Sequence, residues 1–277
     1  MRLTLHLRLP RLRAAVCARA GLAVAAGMAS LVGVQSYAHA APQAFPQCTG
    51  AGFLFDGWFS DPHPQTSIEG VSANIRVEDG ALCASSSGSY NTTSTWVMIE
   101  PTSSDALAQV GFWRYPTWQG SDPQFFYESG ATNAGTPIGW HSGVPVGTTH
   151  RFWVQWVTNG CPNGLFACFA FNIDTTRIGV SNFNPYDVWG SPFNSSTAWN
   201  MQFMGEVHDD SSDIMGGSTG GVATVWTSEQ AQDAASNNYR NFTCNLTKKD
   251  DDTSRYGLNG PGTGGCGTWS TFTIGVS

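Results

Sequence analysis

Two stretches of the chain alternate in chemistry with a period of two, and this alternation limits the possible fold more than any other feature. In Ala106–Tyr115 one parity holds Ala106, Ala108, Val110 and Phe112, while the other holds Leu107, Gln109, Gly111, Trp113 and Tyr115. In Trp199–Asp210 one parity holds Trp199, Met201, Phe203, Gly205 and Val207; the opposite one holds Asn200, Gln202, Met204, Glu206, His208 and Asp210. Successive residues of a strand point to opposite faces. Each stretch therefore reads as a strand with one face on a core and the other lined by aromatic and polar groups. A glutamate inside such a strand, Glu206, needs water, a charged partner or a substrate over it.

Short runs of aromatic and β-branched residues between turn signals predict further strands. They fall at Ala73–Val77, Ser94–Glu100, Gln124–Glu128, His150–Val157, Phe166–Ile173, Arg177–Val180, Val222–Thr227 and Thr268–Val276. Only Ser228–Ser236 reads as a helix, and a short one. Many strands with turns between them argue for an all-β sandwich or jelly roll. Residues 41–277 show no linker or repeat that would divide them, so one domain is expected there.

Residues 1–40 read differently. Arg2, Arg8, Arg11, Arg13 and Arg19 form a basic leader, Ala20 to Val34 is apolar, and Ala38-His39-Ala40 offers a small-x-small cut. That order is a secretory signal peptide, and its Arg- and Ala-rich character looks bacterial. The apolar run is too short and too rich in Ala and Gly to span a membrane. Removing the leader takes five of thirteen basic residues and no acid, leaving eight against twenty and a net charge of about −12. Such a surface repels nucleic-acid phosphates and anionic lipids. Neither nucleic acid nor membrane is an expected partner, and a secreted monomer is.

Six cysteines remain after the leader is lost: Cys48, Cys83, Cys161, Cys168, Cys244 and Cys266. An even number in an exported chain predicts three disulfides among fifteen pairings. The sequential pairing is favoured, because Cys161/Cys168 and Cys244/Cys266 bracket Gly-, Pro- or Asn-rich turns. Zinc is not supported, since there is no CxxC and His63, His141, His150 and His208 lack ligand-like spacing. No cofactor is expected.

The non-core face around Glu206 carries Gln202, Met204 and His208 rather than Lys and Thr. Gln124, Phe126 and Glu128 in "QFFYES" form another such face, as would Trp153 with Gln155, or Phe152, Val154 and Trp156, in "RFWVQW". Aromatic platforms with a few polar groups between them compose a binding surface. A solvated outer sheet is the plain alternative.

Three motifs in order carry a resemblance. "STWVMIEPTSSDALAQVGF" resembles the segment of the glutamic peptidases (the eqolisin family) in which a W-V-x-I strand leads by a short loop into x-L/A-Q-x-G-F. "FFYESG" sits where that family has W-Y-E-W, and "FMGEVHDD" resembles its later strand with the catalytic glutamate. The resemblance covers Thr95 to Asp210. It implies a concanavalin-like sandwich of two curved antiparallel sheets and a catalytic Gln/Glu pair on neighbouring strands of the concave face, here Gln109 and Glu206. It also implies a polypeptide substrate. The chain departs from the family where W-Y-E-W becomes Phe-Tyr-Glu-Ser, although Trp113 or Trp118 stand near enough in sequence to substitute. The candidate substrate-binding residues are therefore Trp113, Trp118, Phe126, Glu128, Gln202 and His208. Only Ala41 to Gln47 separate the cut from Cys48, so no propeptide is expected.

The implied pair is chemically coherent. A carboxylate without metal acts as general base on a water, and a neutral amide donates to the oxyanion that grows on the attacked carbonyl. An unpaired glutamate titrates near pH 4–5, so acidic operation is expected. A carbohydrate-active sandwich is the rival, with Glu128 and Glu206 as its two carboxylates or with Trp113, Trp118 and Trp153 simply binding sugar. A secreted domain without activity is the third reading. Asp209, Asp210 and Asp213 lack the glycine and distal glutamate of a calcium loop and read as a surface turn. Lys248–Asp252 reads as a solvated loop. Asn91, Asn194, Asn241 and Asn245 stand in glycosylation sequons and are expected to be unmodified in a bacterial host. The absence of G-x-S-x-G leaves a serine hydrolase unsupported.

Overall fold

The structure is a computed structural model. It describes residues 52–60, 67–80, 82, 92–102, 104–114, 123–133, 135, 138–194, 196–208, 216, 223–240, 246–254, 256–260 and 269–273. The strands are β1 (Phe53–Phe59), β2 (Ile68–Arg76), β3 (Thr92–Pro101), β4 (Leu107–Arg114), β5 (Gln124–Gly130), β6 (Ile138–Ser142) and β7 (Thr149–Val157). They continue as β8 (Cys168–Ile173), β9 (Thr176–Val180), β10 (Trp199–His208), β11 (Thr224–Asp233), β12 (Asn238–Arg240), β13 (Thr247–Asp250), β14 (Tyr256–Asn259) and β15 (Trp269–Thr273).

The strands pair antiparallel into two sheets. One has the order β13-β1-β10-β3-β4-β5-β6, and the other β14-β15-β11-β2-β7-β8-β9, with β12 added on β11. The expected all-β sandwich of two antiparallel sheets is what forms. Its core lies where the inward parities meet. Val97, Ile99, Ala108, Val110, Phe112, Met201 and Phe203 come from the first sheet, and Val71, Ala73, Ile75, Phe152, Val154, Phe169 and Phe171 from the second. The parities read from the sequence for β4 and β10 are the ones observed: Ala106, Ala108, Val110, Trp199, Met201, Phe203 and Val207 are wholly buried.

The first sheet also buries part of its other face. Trp96, Phe126 and Met204 form a second, smaller cluster there, with Phe55, Phe59 and Trp113 packed around it. One cross-strand row on this face reads Gly57, Met204, Trp96, Gly111, Phe126, Gly139. Glycine is required at 111: a Cβ there would lie 1.9 Å from the Thr95 carbonyl oxygen. β3 and β4 thus approach more closely than a side chain permits, and bulky neighbours on either side cover the place.

Several expectations are corrected. Ser228–Ser236 is not a helix: residues up to Asp233 extend β11, and a turn follows. The α-helix among the described residues is instead Pro185–Val188, started by Asn184, whose side chain accepts from the Tyr186 amide. Lys248–Asp252 is not a free loop, because its first three residues belong to β13 and pair with β1. Phe152 and Val154 face the core, and Trp153 with Gln155 lies on the second sheet, away from Glu206.

Cys161 and Cys168 are bonded across the turn at Pro162–Gly164, as the sequential pairing required. Cys48, Cys83, Cys244 and Cys266 lie outside the described residues, as do Asp209, Asp210 and Asp213. No helix among the described residues is long and apolar enough to cross a membrane.

The close strand approach yields a test. Gly111→Ala is expected to lower stability by about 1–3 kcal/mol, the usual range for overpacking, read as a fall in the urea midpoint with an unchanged m-value.

Candidate functional site

The site is built on the non-core face of the first sheet. Cross-strand partners point to the same side, so the register defines rows of side chains. One row runs Phe55, Glu206, Ser94, Trp113, Gln124 across β1, β10, β3, β4 and β5. Another runs Phe59, Gln202, Met98, Gln109, Glu128 across the same strands. The row of Met204, Trp96 and Phe126 lies between them.

Glu206 and Gln109 therefore share a face, as their sequence parity indicated. They do not project from neighbouring strands: β3 lies between β10 and β4, and the two residues belong to different rows. Gln109 pairs in register with Glu128, and its Nε2 donates to Glu128 Oε2 at 2.6 Å. Both side chains are buried. Gln109 Oε1 has no partner among the described residues, and Nε2 carries a second N–H.

Glu206 is held by Ser94, whose hydroxyl donates to Oε2 at 3.1 Å. Burial pushes the Glu206 carboxyl up to about 7; the Ser94 hydrogen bond pulls it down, and the charge of Glu128 pushes it further up. Burial likewise raises Glu128 to about 6, against the lowering effect of the Gln109 hydrogen bond. A buried carboxyl keeps its proton because the anion loses hydration that the surroundings do not replace. The charge of Glu128 thus reaches Glu206, and Gln109 is bonded to Glu128. Neither acid titrates in the pH 4–5 range of an unpaired glutamate.

The other candidates divide. Phe126 is buried against the face, and Trp113 stacks on it with ring centroids 5.2 Å apart. Gln202 points to the same face, but its Nε2 donates to Glu100 Oε1 at 2.6 Å, which ties it to the neighbouring strand. His208 ends β10 opposite Phe53 and Thr92; its side chain, like the whole of Trp118, lies outside the described residues.

Sequence reasoning missed two contributors. Ser94 is the hydrogen-bond partner of Glu206, and Phe55 is its register partner on β1. The signal for Ser94 was present in "STWVMIE", where Ser94 shares parity with Trp96 and Met98. β1 gave no such signal, because its alternation is broken by Gly57. Among the described residues no group of three or more His, Cys, Asp and Glu is placed to hold a metal.

The chain matches no family model, and no curated protein matches it by sequence. Among solved structures it resembles the crystal structure of scytalido-glutamic peptidase with a transition state analog inhibitor. The identity is 13%, the match covers 81% of this chain and 100% of that one, and the TM-score is 0.47.

The two causes acting on Glu206 are separable. Ser94→Ala is expected to raise its pKa above about 7 by removing a donor to the anion, and Glu128→Gln to lower it by removing a like charge. Carboxyl-carbon NMR titration of the purified variants reads both shifts, which must have opposite signs.

Proposed function

We propose that the chain is a secreted, glutamic-peptidase-like hydrolase that cleaves polypeptides without metal or cofactor. Glu206 is the base that activates water, and Gln109 is the neutral donor to the oxyanion. The observation that supports this reading best is the linked set on one sheet face: Gln109 bonded to Glu128 at 2.6 Å, and Glu128 acting electrostatically on Glu206. The motif order of the sequence points the same way.

Each group has a physical task in this reading. Ionised Glu206 takes a proton from water as the oxygen attacks the peptide carbonyl, then returns it to the departing amine. The second N–H of Gln109 meets the developing oxyanion, while its first stays on Glu128 and fixes the amide plane. An amide stabilises that charge without adding a cation that would hold Glu206 deprotonated throughout. Trp113, in the row of Glu206, and Phe126, stacked on it from the next row, supply apolar surface for substrate side chains.

The working pH follows from the protonation order. Glu206 is a base only once its proton has left, so the acid limb of kcat/KM is expected near pH 7 rather than pH 4–5. Glu128→Gln moves that limb to lower pH. The test is degradation of an unfolded protein by the purified mature chain from pH 2 to 9. Gln109→Ala is expected to lower kcat by roughly 10²–10³-fold, as for a lost oxyanion donor. Cleavage that persists undiminished in Glu206→Gln removes the assignment.

A second reading is favoured by one observation. Glu128 and Glu206 lie on one sheet face and burial raises both above the ordinary glutamate value, a carboxyl pair of the kind a glycoside hydrolase uses as acid and base. Turnover of polysaccharide in the same pH series, with no protein cleavage, would select it.

A further inference from the structure

Asp56 lies in the middle of β1, on the core-facing parity with Trp58, and is entirely buried. Its register partner on β13 is Asp250, whose side chain is only 6% exposed. Directly opposed residues set their Cβ atoms about 4.5–5.5 Å apart on the same side of a sheet, so the two acids face the same side as neighbours and each acts on the other's charge. Among the described residues neither oxygen of Asp56 has a hydrogen-bond partner, and neither does Oδ1 of Asp250. The fourth oxygen, Asp250 Oδ2, receives Lys248 Nζ at 2.7 Å.

Two like charges in such a place, with three of four oxygens unbonded, are not tenable. Lys248 balances one of them and no more. We propose that Asp56, set opposite Asp250, keeps its proton in the folded protein, and that this proton fastens the edge strand β13 to β1 and releases it when alkali removes it.

Among the described residues, the other groups around the pair do not supply an alternative counter-charge. On β10 the partner of Asp56 is Gly205, which has no side chain. Tyr256 of β14 packs into the adjoining cluster with Leu54 and Val207 and is uncharged. Beyond β13, Asp251 adds a further negative charge and is itself engaged by Lys249 at 2.8 Å. Burial, then Asp250, raises Asp56 to about 8; Lys248 opposes and Asp251 reinforces the rise.

The pair also bears on the face opposite. Asp251 accepts the Phe55 amide on Oδ2 at 3.1 Å, and its own amide donates to the Phe55 carbonyl at 3.1 Å. Phe55 is the residue opposite Glu206. The end of β13 therefore steadies the strand that walls one side of the candidate site, and the proton on Asp56 holds that end in place. The inference does not depend on what Glu206 does.

The sign is that of a raised acid. The folded protein keeps a proton that the unfolded chain gives up near its ordinary value, so stability is greatest in acid and falls as pH rises toward about 8. Several buried carboxyls contribute to the fall, Glu78 and Glu206 as pH passes about 7 and Asp56 as it passes about 8, so the variant at 56 separates its share from theirs. Urea unfolding at fixed pH values from 4 to 9 tests the idea. In wild type the folding equilibrium constant is expected to keep falling between pH 7 and 8, at a rate approaching tenfold per unit for one proton. Asp56→Asn, which keeps the shape and a donor toward Asp250, is expected to lose the share of Asp56 in that fall. Asp250→Asn, which removes the like charge and frees Lys248, is expected to shift it to lower pH. Infrared difference spectra at pH 7 give a second reading, a protonated-carboxyl stretch that is weaker in Asp56→Asn than in wild type, the remainder coming from Glu78 and Glu206. A wild-type slope retained through pH 7–8 in Asp56→Asn, or a stretch undiminished in that variant, overturns the proposal. Should Asp56→Asn fail to fold, Asp250→Asn decides: an unshifted fall in that variant also overturns it.

Discussion

Carboxyl groups taken out of water hold their protons, and this sandwich has taken several out of water. Asp56, Glu69, Glu78, Glu128 and Glu206 all bind protons more tightly than free side chains do, with burial the leading cause in every case. Glu78 shows how strongly burial dominates. Arg76 Nε stands 2.9 Å from its carboxyl, yet the group still rises to about 7. Groups of this kind favour the folded state in acid and penalise it as pH climbs from about 4 toward 8. The chemistry open to the protein and its tolerance of pH therefore have one origin.

The burial is possible because the first sheet is covered on two sides. The sandwich core occupies one face, and on the other Trp96, Phe126 and Met204 exclude water between the rows that carry Glu206 and Gln109. The bulk of Met204, Trp96 and Phe126 in that row is accommodated by Gly57, Gly111 and Gly139, and Gly111 lets β3 and β4 close up. A polar group set among such neighbours either finds a partner or changes its protonation. Gln109 and Glu128 find each other, Glu206 finds Ser94, and Asp56 finds no hydrogen-bond partner among the described residues.

Much of this was legible in the chain. Alternation placed Gln109 and Glu206 on the non-core side because a strand's two faces are fixed by covalent geometry, whatever it pairs with. Register was not legible. That Gln109 meets Glu128, and that β3 separates it from Glu206, depends on strands distant in sequence. The stretch Ser228–Ser236 illustrates the same limit. Its Ser, Glu, Gln and Ala content suits a helix locally, but pairing with β2 draws it into a strand, with a shift of register between Thr227 and Gln230 and a positive φ of 58° at Ser228. Lys248–Asp252 looked solvated because charges are costly to bury; the sheet edge buries Asp250 regardless.

By itself the sequence determined the class of fold, which side chains face inward on the regular strands, and a short bonded loop between Cys161 and Cys168. These follow from periodicity and spacing, which are local quantities. Only the tertiary structure decided which carboxyls stand together, how dry their surroundings are, and hence where they give up their protons. Proton affinity is set by the dielectric and charges within a few ångströms, and those neighbours arrive from β1, β3, β5 and β13, far apart along the chain.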